Sequence, residues 1–375
     1  MQKMRIGITG IGFIGCLHAK NILDGNVPNG ELVGVVARSQ RSVNKVKETL
    51  GNHIRIFQSD EEMFNSKLID GVIIATPHYA HPEQGMAAFQ KNLHVLMEKP
   101  VGVFTSNVRE LNQAALASKK KFALMFNLRA KPLFKKIKSL LAEKTIGDIQ
   151  RIYWNITDFY RSQAYYDSNE WRATWSGEGG GVLINQAAHY LDLFQWFFGM
   201  PTSLRADCHW GKYRNIEVED DVTAYLNFAN GAQAIFHVST GEVCGSNRLE
   251  IVGDSGKIVL ESPDITLYKS VMSGSEFNKT NKDVWAAPTF TKEVFTFEDH
   301  ALSHADITSN WINACFQNEA IIAPGLEGID SLLLSNAMYL SSWKDATINF
   351  PFNENEFTQL IQQKAKNSKP RLKNS

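Results

Sequence analysis

The sequence is poor in cysteine, balanced in charge and without a long apolar run. Its four cysteines, Cys16, Cys208, Cys244 and Cys315, show no CxxC or CxxH spacing, so we propose neither a zinc site nor a disulfide framework. The 39 basic and 39 acidic side chains give a formal net charge of zero, which provides no field for attracting nucleic acid or an acidic membrane.

The same absences indicate a compartment. No apolar stretch reaches membrane-spanning length, and the first residues, MQKMRIGITG, lack the apolar core of a signal peptide. Together with cysteines that show no disulfide pattern, these features predict a cytoplasmic protein that acts on a small molecule, without nucleic-acid or membrane partners.

What the chain does contain is enough apolar material for two folded domains. It has 375 residues, of which 43% are hydrophobic, and this length exceeds the size at which one core usually stops growing. A change of pattern after residue 126 predicts a first domain at 1–126 and a second at 127–352. A C-terminal helix and polar tail at 353–375 complete the expected organisation.

The first strand pattern, Met4 to Thr9, runs into a glycine-rich turn, and a helical pattern follows from Cys16 to Leu23. In GxGxxG the first glycine makes a tight turn, the second lets a pyrophosphate approach the backbone, and the third lets the helix pack on the strand. This context favours a dinucleotide site over a purely structural turn. The expected cofactor-binding residues here are Gly10, Gly12, Phe13, Ile14 and Gly15.

The second strand pattern, Glu31 to Ala37, ends at Arg38 and Ser39 instead of the acidic residue that usually binds the adenosine ribose. An arginine and a serine at this point can bind a 2′-phosphate, which slightly favours NADP(H) over NAD(H). The alternative is that Arg38 stacks on the adenine and accepts either cofactor.

Further strand patterns at Ile54 to Phe57, Gly71 to Ala75 and Leu93 to Met97 alternate with helices, which predicts a parallel sheet covered on both faces. Ligands bind at the carboxyl edge of such sheets. The polar residues expected there, on the nicotinamide side, are Thr76, Pro77, His78, His81, Glu98 and Lys99. His78 and His81 have no carboxylate ligands next to them in the sequence, so a metal site is not favoured.

Lys99 is the most informative of these residues, because it follows a buried strand pattern and is held by the next proline. From this position its ammonium can reach a substrate oxygen near the cofactor. The alternative is a surface lysine in a turn.

The second half begins with a basic helix pattern, Lys131 to Glu143, and continues with strands joined by turns. The strand patterns are Ile149 to Thr157, Ser203 to Trp210, Val222 to Phe228, Ala232 to Thr240, Asn247 to Val252 and Lys257 to Glu261. They predict an antiparallel sheet with one face against a helix and one against a partner subunit. Apolar residues such as Phe236 and Tyr225 would lie on the partner face, in a homodimer or homotetramer.

Residues 177–199, GEGGGVLINQAAHYLDLFQWFFG, show the periodicity of a single helix. Asn185, His189 and Asp192 then share one ridge, at spacings of four and three residues. A solvated face is the alternative, but the flanking residues are apolar, and Gly179 to Gly181 would admit another backbone or a ligand. The pattern therefore indicates a site.

Before this segment, the aromatic stretch 159–175 contains hydrogen-bonding groups that suit the apolar patches and hydroxyl rim of a sugar ring. Tyr160, Trp171 and Arg172 are the expected substrate residues, and an aromatic mini-core is the alternative. His300 and His304 form an i, i+4 pair without further ligands, so no metal is expected there either. Helix patterns follow at Ala305 to Gln317 and Gly325 to Trp343.

Taken together, the order and spacing of five segments resemble the glucose-fructose oxidoreductase / inositol dehydrogenase / MocA (Gfo/Idh/MocA) family of nicotinamide-dependent sugar oxidoreductases. The segments are the GxGxxG turn, TPHYAHP, KNLHVLMEKP, Trp171-Arg172 and GGGVLINQAAHYLDLFQWFFG. The resemblance implies an α/β protein with an N-terminal Rossmann domain, a doubly wound parallel sheet. It also implies a C-terminal α+β domain with an open, mostly antiparallel sheet that often forms the oligomer contact.

The resemblance also implies that Lys99 and His189 carry the chemistry. Many inositol dehydrogenase-like members have an aspartate where this chain has Asn185, and an amide cannot act as acid or base. Asn185 is therefore expected to position substrate, while Asp192 either orients the imidazole or caps local backbone.

The expected reaction is hydride transfer between NAD(P) and a secondary hydroxyl or ketone of a sugar, sugar derivative or cyclitol. His189 accepts the proton and Lys99 stabilises the developing alkoxide, the two meeting across a cleft between the domains. Two alternatives stay open: a glycosidase-type enzyme that oxidises its sugar transiently with a retained NAD, and a non-catalytic regulator that senses dinucleotide or sugar. The presence of Lys99 and His189 argues against the regulator.

Overall fold

The computed structural model describes residues 3–298 and 303–368. His300 and the last residues of the basic tail lie outside these ranges, so the expected His300/His304 pair is described only at His304. Among the described residues, none of the helices has both the length and the apolar character that a membrane crossing requires.

The described part of the chain alternates between strands and helices, numbered here in chain order. The strands are β1 (Met4–Thr9), β2 (Gly30–Val36), β3 (Arg55–Phe57), β4 (Gly71–Ile74), β5 (His94–Met97), β6 (Phe122–Leu124), β7 (Ile149–Ile156), β8 (Ser203–Trp210), β9 (Glu219–Asn227), β10 (Gln233–Ser239), β11 (Asn247–Gly253), β12 (Gly256–Glu261), β13 (Asp264–Ser270), β14 (Phe290–Thr296) and β15 (Ile348–Asn349).

The α-helices are α1 (Phe13–Leu23), α2 (Gln40–Leu50), α3 (Asp60–Asn65), α4 (His81–Gln90), α5 (Thr105–Ser118), α6 (Pro132–Ala142), α7 (Gln163–Asp167), α8 (Ala188–Phe198), α9 (Gly274–Thr280), α10 (Ser303–Phe316), α11 (Gly328–Lys344) and α12 (Glu354–Asn367). Short 3₁₀ helices span His78–Ala80, Asn127–Ala130 and Gly325–Glu327.

The described residues divide into two compact units, of which the first comprises 3–130, 177–179 and 303–333. Its sheet has six strands in the described part of the chain, in the order β3-β2-β1-β4-β5-β6, and every pairing is parallel. All four residues of β4 are buried, as are the last three of β5, because helices cover both faces of a parallel sheet. The predicted parallel α/β sheet is confirmed, and β1 has the bounds that its apolar pattern predicted.

Residues 303–333 belong to the first unit, although the sequence pattern assigned them to the second domain. The reason is the packing of α10 on the parallel sheet. Trp311 is fully buried, and its ring lies so close to Gly71 that a Cβ there would come within 2.8 Å of it. Asn313 on the same helix accepts a hydrogen bond from Asn29 at 2.9 Å. These two residues are 284 positions apart, so local sequence patterns do not reveal the contact.

The second unit comprises 131–176, 180–298 and 334–368. Its sheet has nine strands in the described ranges, in the order β14-β13-β12-β11-β7-β10-β9-β8-β15. β10 and β7 pair in parallel and the other pairs are antiparallel, so the predicted mostly antiparallel sheet is confirmed. The sequence patterns missed β13, β14 and the two-residue β15. The side chains of β14 are nearly all exposed, which leaves no apolar alternation to detect.

One face of this sheet packs against α8 through aromatic rings. The Trp154 ring lies 5.5 Å from Tyr190 and 6.4 Å from Phe236, and Phe236 lies 5.8 Å from Phe194. Phe236 is fully buried, so its expected place on the partner face was wrong. Tyr225, by contrast, is 53% exposed on the opposite face. The register of the β9–β10 pair places Phe236 opposite Ala224 and Tyr225 opposite Ile235, so Phe236 and Tyr225 face different sides of the sheet.

Candidate functional site

The glycine-rich turn between β1 and α1 has the properties that a dinucleotide requires. Gly10 has φ +88°, and a Cβ there would lie 2.3 Å from the Ala75 carbonyl oxygen. A Cβ on Gly15 would lie 2.0 Å from the Gly10 carbonyl oxygen, so these two glycines serve the turn and the strand–helix contact. A Cβ on Gly12 would meet nothing within 4 Å. The space beside Gly12, at the start of α1, therefore fits a pyrophosphate at a helix N-terminus. Phe13 is 82% exposed next to it.

Arg38 and Ser39, which follow β2 after Ala37, have partners within the chain. Arg38 donates from Nη2 to Asp60 at 2.9 Å, and Ser39 is the N-cap of α2, its hydroxyl accepting a hydrogen bond from Ser42 N. The Ser39 hydroxyl thus stabilises the helix start. Asp60 could not be predicted as the partner of Arg38 from local sequence patterns.

The loop after β4 is held by hydrogen bonds at each polar residue. The Thr76 hydroxyl donates to Gln84 Oε1, and His78 Nδ1 lies 2.9 Å from the Glu178 carbonyl oxygen. Each ring nitrogen of His81 lies 2.7 Å from a backbone carbonyl oxygen, and burial lowers the pKa of this imidazole. The buried His81 ring, held between two carbonyl oxygens, thus anchors the loop, and Pro77 is the exposed residue of the loop.

Glu98 and Lys99 follow β5 at the same edge of the sheet. Glu98 is buried and its Oε1 lies 2.8 Å from His18 Nε2. Burial alone would raise the pKa of Glu98, but the hydrogen bond and charge of His18 lower it to about 2. Its other oxygen accepts a hydrogen bond from the Lys99 backbone N at 3.2 Å. The ionised Glu98 therefore fixes the backbone from which the half-buried Lys99 side chain starts, and His18 is a supporting residue that the sequence did not reveal.

In the second unit, the segment with the polar ridge is not one helix. α8 begins at Ala188, and residues 181–187 form a bend and turns, so Asn185 precedes the helix that carries His189 and Asp192. The reason is the buried carboxylate of Glu219 at the start of β9, which accepts hydrogen bonds from Gly181 N and Leu183 N at 2.9 Å each. These N–H groups are bound to β9, so the expected helix over 177–199 was wrong in its first eleven residues.

The glycines of this segment make room for Glu219 and Tyr339. A Cβ on Gly181 would lie 2.0 Å from the Glu219 carbonyl oxygen, and one on Gly180 would lie 2.2 Å from Tyr339 Oη. Tyr339 Oη in turn donates to Glu219 at 2.7 Å. The sequence analysis predicted that these glycines admit either another backbone or a ligand. At Gly181 the group that approaches is the backbone of Glu219.

We expect the free energy of unfolding to depend on pH through Glu219. Burial raises the pKa of its carboxyl to about 7, against the opposing hydrogen bonds from Leu183 N and Tyr339 Oη. A raised folded-state pKa means that this contribution to the free energy of unfolding is complete below the ordinary glutamate value of 4.5. It is lost as pH rises from there through 7, by roughly 1.4 kcal/mol per pH unit.

Urea unfolding of Glu219→Gln across pH 4 to 8 should therefore give a flatter profile than the parent in that window. Glu276→Gln, on an exposed helix of the same unit, is the control and should follow the parent. Parallel profiles for Glu219→Gln and the parent would contradict this assignment.

Several predicted substrate residues are brought together around Tyr165, which the sequence prediction did not include. Its hydroxyl accepts hydrogen bonds from Arg172 Nη1 at 2.5 Å, Gln186 Nε2 at 3.1 Å and Asn185 Nδ2 at 3.5 Å. The Arg172 guanidinium also lies 4.3 Å from the Tyr165 ring centre and 5.0 Å from that of Trp171. This Tyr165 cluster combines aromatic faces with amide and guanidinium donors, the groups that recognise a sugar ring.

The other predicted site residues of this unit are Tyr160, His189 and Asp192. Tyr160 is 48% exposed and stacks with Arg214 at 4.8 Å, outside the hydrogen bonds of the Tyr165 cluster. His189 is half-buried in the first turn of α8. Asp192 is fully buried and accepts a hydrogen bond from Gln195 at 3.1 Å.

Family models match both parts of the chain. Residues 4–127 match an oxidoreductase family with an NAD-binding Rossmann fold. Residues 134–259 match the GFO/IDH/MocA C-terminal domain.

Individual relatives are distant. The chain is 28% identical over 206 residues to the oxidoreductase YdgJ of Escherichia coli, covering 55% of this chain and 57% of that protein, less than two thirds of its length. It is 25% identical over 270 residues to the myo-inositol 2-dehydrogenase of Thermotoga maritima, covering 69% and 75%. The structure of the WlbA dehydrogenase from Chromobacterium violaceum, in complex with NADH and UDP-GlcNAcA, matches with a TM-score of 0.77 at 26% identity, covering 94% and 97%.

Proposed function

Because the chain belongs to the Gfo/Idh/MocA family of oxidoreductases, as its motifs predicted, we propose that it transfers a hydride between NAD(P) and a carbohydrate. The reacting group is a secondary hydroxyl or ketone of a sugar, sugar derivative or cyclitol. The observation that carries the proposal is the space beside Gly12, which suits a dinucleotide at the carboxyl edge that also holds Lys99.

Three residues are assigned to the reaction. In the oxidative direction, His189 accepts the proton of the substrate hydroxyl, and the Lys99 ammonium donates a hydrogen bond to the oxygen as it gains negative charge. Asn185 donates a hydrogen bond to a neighbouring hydroxyl. The nicotinamide, when bound, would supply the hydride acceptor.

The Tyr165 cluster supports a carbohydrate substrate. Arg172 and Asn185 donate hydrogen bonds to the Tyr165 hydroxyl, and the Arg172 guanidinium also lies over the Trp171 ring, so three of the proposed substrate residues meet in the cluster. A myo-inositol dehydrogenase and a dehydrogenase solved with UDP-GlcNAcA are among the relatives, which supports a polyhydroxylated ring as the substrate class.

A parallel screen of sugars, sugar acids and cyclitols with NAD and NADP tests the function. We expect reduced nicotinamide to accumulate with at least one substrate. Release of an aglycone without net cofactor reduction would replace this proposal with the retained-NAD glycosidase reaction, and binding without turnover across the panel would replace it with a sensor.

Replacing Gly12 with alanine should weaken cofactor binding without unfolding the protein. The new methyl group meets no protein atom within 4 Å, and the backbone φ of −72° is open to any residue, so the melting temperature should stay close to that of the parent. The methyl group would occupy the pyrophosphate space, and we expect NADH affinity to fall by about tenfold or more.

Fluorescence titration of NADH, with thermal unfolding alongside, checks this expectation. Gly15→Ala is the contrasting variant, because its Cβ would lie 2.0 Å from the Gly10 carbonyl oxygen and should lower stability as well as binding. Undiminished NADH affinity in Gly12→Ala would remove the turn from the cofactor site.

We also propose a cytoplasmic homodimer or homotetramer that associates through the sheet face opposite α8. The 53% exposed Tyr225 on that face supports this arrangement, as do half-exposed neighbours such as Ile235. Light scattering at micromolar concentration decides it, and a monomer would contradict the proposal.

A further inference from the structure

A chain of side-chain hydrogen bonds crosses the carboxyl edge of the parallel sheet in the first unit. The Thr9 hydroxyl, at the end of β1, donates to Asp60 Oδ1, and Gln84 Nε2 donates to Asp60 Oδ2 at 2.8 Å. The Thr76 hydroxyl, just after β4, donates to Gln84 Oε1. Thr9 and Gln84 are buried, so the Asp60 carboxylate is held in place from inside the protein.

Arg38 is the outer partner of the same carboxylate. Its Nη2 donates to Asp60 Oδ2 at 2.9 Å, with the arginine side chain 66% exposed and the aspartate side chain 16% exposed. Asp60 is thus fixed by two inner donors, whereas the guanidinium reaches it from solvent. An anion that approaches Arg38 must compete with a carboxylate that is already in place.

The surroundings of the pair are also acidic. A cavity of about 410 Å³ beside it is lined by ten residues, among which the charged ones are Arg38, Asp60, Glu61, Glu83 and Lys91. Three carboxylates therefore face two cations. A further dianion at this position meets a net repulsion, unlike a neutral ribose hydroxyl.

We propose that Asp60 is a specificity-determining residue for the cofactor, because its pairing with Arg38 limits the affinity of the site for the 2′-phosphate of NADP(H). The inference rests on the proposed function and on the sequence prediction that Arg38 slightly favours NADP(H). With Asp60 in place, the NADP preference that Arg38 confers is weak. Without the carboxylate charge, the guanidinium is available to the phosphate and the preference becomes strong.

The test compares NADH and NADPH binding to the parent protein, Asp60→Asn and Glu61→Gln by nicotinamide fluorescence. Both substitutions remove one negative charge from the same cavity, but only the first neutralises the partner of Arg38. We expect Asp60→Asn to raise the affinity for NADPH relative to NADH by about tenfold, equivalent to ~1.4 kcal/mol. Glu61→Gln should change the ratio by less than about threefold.

The gain should also depend on Arg38. In the double variant Asp60→Asn/Arg38→Ala the shift towards NADPH should vanish, because the two side chains act as one unit. Thermal unfolding identifies a misfolded Asp60→Asn, in which case Asp60→Ser, which keeps a hydroxyl for Thr9 and Gln84, takes its place.

Three outcomes overturn the inference: an unchanged ratio in the folded Asp60 variant, equal shifts in the Asp60 and Glu61 variants, or a shift that persists without Arg38. Failure of the parent protein to bind either nucleotide has a different meaning, since it overturns the proposed function itself. The binding measurement needs no substrate, so the two failures remain distinguishable.

Discussion

His189→Ala is expected to lower kcat for hydride transfer by about 10²–10⁴-fold, the range over which a positioned acid or base acts. The hydroxyl proton must leave as the hydride departs, and without the imidazole it passes to water. The acid limb of the pH–rate profile should disappear as well, because it reports the protonation of the base.

The control for this variant is His209→Ala. This histidine lies on β8 of the same unit with its side chain 52% exposed, and its loss should leave kcat within about twofold of the parent. NADH affinity should stay unchanged in both variants, which separates a catalytic from a folding defect. A His189→Ala rate within about tenfold of the parent, less than ~1.4 kcal/mol of barrier, would remove His189 from the reaction.

Lys99→Met should lower kcat by about 10²–10³-fold, as the loss of a single preorganised donor to a developing oxyanion does. Methionine keeps much of the stem of lysine but removes the charge, so the backbone hydrogen bond from Lys99 N to Glu98 is preserved. We therefore expect thermal stability close to that of the parent and a defect confined to the chemical step.

Stopped-flow measurement of nicotinamide absorbance under single-turnover conditions separates that step from product release. Lys20→Met, an exposed lysine on α1 of the same unit, serves as the control and should react at the parental rate. If Lys99→Met raises KM alone and leaves kcat intact, Lys99 binds the substrate without stabilising the transition state.

Local patterns predicted the parts of the fold that depend on neighbouring residues. The apolar run of β1 and the glycine turn after it were read correctly, since a tight turn and a buried strand impose their demands within a few positions. The helix start at 177 was misread for a related reason. The periodicity of residues 183–198 is real, but periodicity does not show that Glu219 binds the N–H groups of Gly181 and Leu183.

The supporting residues of the candidate site could not be found from local patterns. His18 and Glu98 are 80 residues apart, and Gly181 and Glu219 are 38 apart. Each partner looks ordinary alone, since a helical histidine and a strand glutamate are common. Only the structure shows that both carboxylates are buried. A buried carboxylate requires hydrogen-bond donors, and these hydrogen bonds hold the adjoining loop in place.

The amino-acid sequence by itself determined the parallel Rossmann sheet, the mostly antiparallel second sheet, the family and the residues proposed for catalysis. These features depend on short motifs and on the alternation of apolar and polar residues within single elements. Tertiary structure alone decided that residues 303–333 join the first unit, that Phe236 is core, that Asp60 pairs with Arg38, and that α8 begins at Ala188. In each case the decisive partner is brought near by folding, and its hydrogen bonds or packing outweigh the local preference.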